Sequence, residues 1–287
     1  MADGSLARQA VAVLEPVCCT GWLSDEGQAN LAALGITERF AGYCATRGAP
    51  MGRVEPEVVA AAFYNFNPEV VIRNTALAWA ASTPEAVIAG ERAAADASLQ
   101  AVVAAMPAPA IRELADLLRT AADRAATRVE GCPIASGVAA MDFPTEPHLV
   151  VWHAHHLLRE HRGDAHAASL LIAGLSGIEA LVVDCARTGF PAAHMRAGRF
   201  WSEDAWAEAA EGLRSRGWLT ADDRFTDEGR ERRALVEQQT DDVAALAFRD
   251  LGDERTARIV ELGTPFGELA APLALTKPRR RLQADGS

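Results

Sequence analysis

Leu213-Arg214-Ser215-Arg216-Gly217-Trp218-Leu219-Thr220, continued by Ala221-Asp222-Asp223-Arg224-Phe225-Thr226-Asp227-Glu228-Gly229-Arg230, is the stretch on which the fold of this 287-residue chain turns. The run that leads into it, Ser202 to Arg216, is patterned as a helix. Ser202 is a good N-cap, and Glu203 and Asp204 sit in the first turn, where acids complement the helix dipole. Gly217 ends that helix. Trp218-Leu219-Thr220 and Arg224-Phe225-Thr226 read as two short strand-like segments around the polar turn Ala221-Asp222-Asp223. Asp227-Glu228-Gly229 then opens a long helix to about Val243.

Working outward, the second part of the chain starts at His148. Leu149 to His161 is expected as a helix, Arg162-Gly163-Asp164 as a turn, and His166 to Ala173 as a helix capped by Asp164. Gly177 to Ala186 follows as an apolar helix, and a closing helix runs roughly from Asp253 to Ala274. Three helices, a short hairpin and a long helix are the order of a winged helix-turn-helix. The strings at 213–219 and 225–230 resemble the MarR family, in which a recognition helix ends in L-x-x-x-G-hydrophobic, a wing follows, and L-T-x-x-G opens the next helix. That resemblance covers roughly residues 165 to 262. The chain as a whole is also similar to a broad actinobacterial family of two-part helical proteins. The marks are Phe63-Tyr64-Asn65-Phe66-Asn67-Pro68, Ala78-Trp79, and Trp152-His153 followed by Leu158-Arg159-Glu160-His161-Arg162-Gly163-Asp164-Ala165-His166. The resemblance implies helical architecture and carries no particular activity with it.

The charge of this unit argues against DNA. A reading helix needs basic and polar donors that reach base edges. This one carries Glu203, Asp204, Glu208 and Glu211 against Arg214 and Arg216, and its wing tip holds Asp222 and Asp223 beside Arg224. Each unneutralised acid near a phosphate opposes association. The chain as a whole is also negative, with a formal net charge of −11 and Lys277 as its single lysine.

The first part is helical as well. Helices are expected from Leu6 to about Cys19, from Ser24 to Leu34, from Glu55 to Phe63, from Glu69 to Trp79, from Pro84 to about Ala105, and from Ile111 to Val129. Ser24 is an N-cap, and Pro84 stands at an early helical position, where its missing N–H costs little. The segment Phe40 to Pro68 differs in texture and holds both tyrosines. Glycines and prolines between Glu130 and Pro147 mark the boundary. The expected class is mostly α: an N-terminal helical domain (1–147), a MarR-like winged-helix domain with a His-rich first helix and one short β-hairpin (148–275), and a disordered basic tail (276–287).

Residues are 49% hydrophobic, enough for a sizeable core. No basic-then-apolar leader pattern occupies Met1 to Ala12, and no run approaches about 18 apolar residues, the length a membrane span needs. Cytoplasmic location is the expectation. The five cysteines, Cys18, Cys19, Cys44, Cys132 and Cys185, are odd in number and form no CxxC pair, so they read as free structural thiols.

The least random feature is histidine. Six of seven, His148, His153, His155, His156, His161 and His166, fall within nineteen positions. His153, His156 and Glu160 are spaced i, i+3, i+7 and share a helix face. Such a set can gather around a divalent metal, although no HExxH or zinc signature is present and metal is not favoured. It can equally supply acid–base groups near neutrality, with His153, Glu160 and His161 as the catalytic candidates. The plainer readings are an interior ion network through Arg159, Glu160, Arg162 and Asp164 that joins the halves, and a histidine placed by the helix C-terminus. Tyr43, Arg47, Tyr64 and Asn65 form a second candidate wall, joined by Trp152, His156, Arg162, Asp164 and His166 as ligand-binding residues. Asn67 reads as the cap of the helix starting near Glu69. No P-loop, GxGxxG or GxSxG occurs. The combined expectation is a protein that binds a small apolar or aromatic molecule in a His/Glu-lined pocket between its halves. An enzyme of secondary metabolism and a ligand-sensing regulator are the alternatives, and a homodimer is admissible.

Overall fold

In the computed structural model the described residues are 4–274; the basic tail expected at 276–287 lies outside them. The N-terminal helices are α1 (Gly4–Ala12), α2 (Glu15–Cys19), α3 (Asp25–Ala33), α4 (Arg39–Gly48) and α5 (Pro56–Phe63). They continue with α6 (Pro68–Ala81), α7 (Pro84–Ala105), α8 (Ala108–Ala126) and α9 (Pro133–Ala139). Local chemistry places their starts. Ser24 accepts from the Gly27 N–H, Asn67 from Glu69 and Thr83 from Ala86, and prolines stand in the first turns of α5, α6 and α7. The single first helix expected from Leu6 to Cys19 is two helices, α1 and α2. Pro16 cannot donate a backbone hydrogen bond and takes up the first turn of the second one instead.

The chain then enters α10 (Pro147–Ile172), 26 residues long and about 39 Å at 1.5 Å per residue. The turn expected at Arg162-Gly163-Asp164 does not form; α10 runs straight through it. A glycine costs a helix interior about 1 kcal/mol. The burial of α10 against α8, α14 (Asp227–Ala245), α9, α2 and α7 outweighs that. Asp164 is accordingly no N-cap for its own helix. Its Oδ2 accepts from the N–H groups of Ile134 and Ala135 at 3.1 and 3.0 Å, and so caps α9 from a distance.

Beyond α10 lie α11 (Gly177–Thr188), α12 (Ala192–Gly198) and α13 (Glu203–Ser215), then α14 and α15 (Gly252–Ala270). Ser176 and Glu179 form a reciprocal capping box on α11, Ser202 caps α13 and Thr226 caps α14. Where a two-stranded wing is expected, one antiparallel bridge joins Leu219 and Phe225, and no strand occurs among the described residues. The Thr220 N–H donates to the Arg224 carbonyl at 2.8 Å and closes the turn at once, leaving three residues a side.

The boundary expected at residue 147 is a helix start and not a gap in the core. The largest apolar cluster joins Leu14, Leu99, Leu114 and Leu118 from before it to Trp152, Leu157, Phe248 and Phe266 from after it. α15 returns to pack on α1 and α8, and α14 packs on α1. A second cluster, with Leu170, Leu175, Leu213, Trp218 and Val236, is the interior of the part built from α11, α13 and α14. The turn at Tyr64 to Asn67, whose Phe66 packs in a further cluster with Cys44, Phe63 and Val71, clasps that cluster to the second. Tyr64 takes a left-handed φ of 55° and donates its hydroxyl to the Leu175 carbonyl. Trp201 Nε1 donates to the Asn65 carbonyl at 3.0 Å, and the Asn67 N–H to the Arg199 carbonyl at 3.0 Å. A Cβ on Gly177 would lie 2.0 Å from the Tyr64 carbonyl oxygen, so the clasp closes only over glycine. No single helix among the described residues is long and apolar enough to cross a membrane.

Candidate functional site

Glu160 stands midway along α10 and is 1% exposed. Arg47, from α4, reaches it with Nε at 3.1 Å and Nη2 at 3.0 Å, both to Oε2. Arg159 donates to the other oxygen, and its Nε spans to Glu15 at 2.9 Å. Burial alone pushes the Glu160 carboxyl up, but the two guanidiniums outweigh it and hold the group at about 2. Burial likewise works against the charge on Arg47, and Glu160 reverses that, raising Arg47 above its ordinary value. The Arg47 guanidinium also lies over the Phe63 ring, 4.8 Å from its centroid. Of the expected network Arg159, Glu160, Arg162 and Asp164, only Arg159 and Glu160 pair here, in a triad with Arg47 that Glu15 joins; Arg162 pairs with Glu237 and Asp241, and Asp164 binds backbone N–H groups instead.

The triad has two faces. On the inner side is a hollow of about 40 Å³, room for a water or two, lined by Glu91, His156, Cys19, Tyr43 and Thr46 together with the triad. Glu91 is pushed up to about 8 by burial and then by the nearby Glu160 charge, so it holds a proton at neutral pH. His156 is lowered to about 4 by burial, against the pull of Glu160. On the outer side opens a cleft of about 1270 Å³, with α10 along its floor and α1, α11 and α14 around it. Glu160, Arg162, Gly163, His166 and Leu170 come from the floor, Asn65 from the clasp, and Phe225 from the bridge.

Eight arginines and four carboxylates line the cleft. Each of the four acids is already engaged. Glu15 and Glu160 share Arg159, Asp184 holds Arg187 at 2.7 Å, and Glu237 binds Arg8, Arg162 and Arg233. Glu237, drawn up by burial, is brought down to about 2 by Arg233 first and Arg162 next. Asp241 adds a further contact to Arg162 and to Arg8, both at 3.0 Å. Arg199 has no carboxylate partner among the described residues. It lies over the Phe66 ring at 4.5 Å, and its Nε is buried without an acceptor. The Nε of Arg162 is buried without an acceptor too.

The histidines do not converge. Positions 153 and 160 are separated by about 10 Å along a helix, and α10 is enclosed, so each imidazole meets a different neighbour. His153 is 0% exposed, packs edge-on to Phe143 at 4.3 Å, and is lowered to about 3 by burial. His155 pairs with the Val11 carbonyl oxygen and His161 with that of Arg128. His148 meets Asp96, and His166 meets the Thr240 hydroxyl at 2.9 Å. Only His156 and Glu160 border one hollow. The trio His153, His156 and Glu160 therefore does not form a metal site, and no group of three or more His, Cys, Asp or Glu among the described residues is placed to hold an ion. His153 and His161 likewise sit away from both the hollow and the cleft, which removes the geometry their catalytic candidacy needs.

The other candidates divide. Arg47, Asn65, Arg162 and His166 line the cleft, and Tyr43 lines the hollow. Trp152, 1% exposed, is a core residue of the larger cluster. Tyr64 belongs to the clasp and Asp164 caps α9, so neither faces the cleft. Asn67 caps α6 as expected. Residues the sequence did not single out, Arg8, Glu15, Glu91, Arg199, Arg233 and Glu237, complete the two spaces. They come from distant stretches, and nothing local in the sequence connects them.

The outward face of α13 and the bridge that follows it has its own ion pairs. Arg214 is shared by Glu211 and Asp223, Arg216 binds Glu179, Arg224 binds Asp222 at 3.1 Å, and Arg232 binds Glu228. The basic residues of this face are thus held by acids of the same face. No curated protein and no solved structure matches the chain. Residues 7–274 match the profile of a family described as the Helix-turn-helix family. That span takes in the apolar clusters and the cleft, and the chain belongs to the Helix-turn-helix family.

Proposed function

We propose that this protein binds a small molecule in the cleft above Glu160 and uses its helix-turn-helix as a scaffold and not as a reader of DNA. The observation that carries the reading is the contrast in how arginine is spent. Around the cleft, arginine outnumbers acid two to one, with guanidinium nitrogens buried and unpaired. On α13 and the bridge that follows it, arginines are neutralised by adjacent acids. A concave space that sets an apolar wall beside directed polar donors is what a small polar ligand needs. A face whose cations are already paired has few counterions to release from a duplex.

The test has two arms. A salt-dependent shift assay with DNA from the protein's own promoter region is expected to show no retardation at low salt. Fluorescent apolar probes are expected to bind at one site, and Ala234→Trp, which fills the α14 wall, is expected to abolish that binding. Absence of binding by every probe would remove the ligand reading. The second reading is a ligand-sensing regulator, favoured by family membership. Retardation of the promoter fragment that weakens steeply with salt would establish it in place of the scaffold.

A further inference from the structure

We infer that the cleft takes an amphipathic organic anion: an apolar body against its aliphatic wall, with a carboxylate-like or phosphate-like end on arginines that the protein leaves uncompensated. This rests on the ligand reading above and narrows the small apolar or aromatic molecule expected from sequence to one that carries a negative charge.

Charge is the first ground. The chain carries a net −11, yet this one space is lined by eight arginines and four acids. Cations gathered in a cleft with low-dielectric walls concentrate anions there. Rearrangement among the lining side chains does not cancel the excess, because each of the four acids already holds at least one arginine and Glu237 holds three.

The donors left over are the second ground. Arg199 is anchored by its stack on Phe66, and its backbone carbonyl is fixed by the Asn67 N–H at 3.0 Å, yet its Nε has no acceptor. Arg162 presents a second buried Nε without one. Arg230, itself 61% exposed, pairs among the described residues only with Asp227 at 2.6 Å, a residue 96% exposed that does not line the cleft. Neither Arg199 nor Arg230 has a carboxylate partner among the cleft-lining residues, and an incoming anion gives such guanidiniums charge-assisted bonds.

Shape is the third. Val11, Leu170, Leu181, Met195 and Phe225 line the same cleft, so the charged part of the ligand is carried on an apolar part. A bare inorganic ion would leave that wall unused.

Two fluorescent probes separate the claims: anilinonaphthalene sulfonate, an aromatic anion, and N-phenylnaphthylamine, a neutral molecule of similar body. The full chain is titrated with each at neutral pH. The anion is expected to bind at one site at least about tenfold more tightly, since one charge-assisted hydrogen bond is worth about tenfold or more. In Arg199→Gln/Arg230→Gln that preference is expected to disappear with neutral-probe affinity unchanged; neither substitution orphans a buried acid. Should Arg199→Gln unfold the chain, Arg230→Gln alone and the salt dependence of the wild type carry the test, with salt weakening only the anion. Equal binding of both probes, or a variant that weakens both alike, overturns the anion assignment and leaves a neutral-ligand cleft. Failure of both probes overturns the ligand reading itself. Displacement of the anion by a short single-stranded oligonucleotide would make the cleft a nucleic-acid groove and also overturns the proposal.

Discussion

The floor of the cleft and the outer face of the helix-turn-helix are built from the same chemistry, arginine beside carboxylate, in two different solvents. Glu160 is 1% exposed and clamped between Arg47 and Arg159. Asp223 and Glu211, which share Arg214, have side chains 55% and 71% exposed. A charge withdrawn from water must be matched, and removing one partner strands the other. A charge left in water is screened, and its pair contributes little. The comparison teaches that these ion pairs do different things. Those on α10 tie it to α2, α4 and α14 and border the cleft. Those on α13 and the bridge neutralise a surface that members of a helix-turn-helix family can otherwise present to a phosphate backbone.

The sharpest way to break the comparison is Glu160→Gln. It leaves Arg47 buried without a carboxylate, and the expected loss in urea-induced unfolding is about 3–5 kcal/mol. Arg47→Met combined with Glu160→Leu removes both partners and is expected to cost less than the single change. A single variant within about 0.5 kcal/mol of wild type would mean that water already reaches Glu160 and that the two regions are electrostatically alike. Next in size is Asp164→Ala. It deprives the N–H groups of Ile134 and Ala135 of their acceptor, and a loss of about 2–4 kcal/mol is expected from two buried unsatisfied donors. Hydrogen exchange is expected to quicken in α9 first, while α13 is untouched.

How much of this was legible in the sequence depends on how local the cause is. Ser24, Asn67, Ser202 and Thr226 begin helices by bonding to their own next turn, and their roles follow from adjacent residues. Gly163 misleads for the same reason: locally it signals a turn, and only the enclosure of α10 by α8 and α14 keeps the helix going. The histidine cluster is visible as a clustering, but its meaning depends on which helix faces each position, and the enclosing helices differ from turn to turn. Asp164 was identifiable as a capping residue, though the helix it caps begins at Pro133. The cleft was least legible. Arg8, Arg199 and Arg233 lie far apart in the chain, and no spacing rule joins them; only the return of α14 to α1 and the clasp on Arg199 do so.

A third prediction uses pH to sharpen the contrast. Glu91 lies behind the clamp, facing Glu160 and Cys19, with its carboxyl raised from 4.5 to about 8 by burial first and Glu160 second. The folded protein therefore keeps a proton that the unfolded chain releases above its ordinary value. Stability from this group is full below that value and is lost as pH climbs toward about 8. Between pH 6.5 and 8 the wild type is expected to lose on the order of 2 kcal/mol relative to Glu91→Gln, at about 1.4 kcal/mol per pH unit. Parallel stability curves for the two proteins over that range would show that Glu91 is hydrated and ionised.

The smallest effect is expected at the outer face, where the comparison is most exposed to refutation. Arg214→Ala and Asp223→Ala are each expected to shift stability by less than about 0.5 kcal/mol, and their double-mutant coupling by no more. Raising the salt concentration should erase what coupling exists, because both partners are in contact with solvent. Against such small changes in stability, charge is the more telling readout. Asp222→Asn with Asp223→Asn frees Arg224 from its acid and leaves Arg214 with Glu211 alone, without touching the core. If ion pairing is what keeps this surface off nucleic acid, the double amide variant gains salt-sensitive DNA retardation that the wild type lacks, at unchanged stability. If it gains none, the acids at the bridge are ordinary surface charge, and a lack of DNA retardation by the wild type would be traced to the shape of α13 and its short bridge instead.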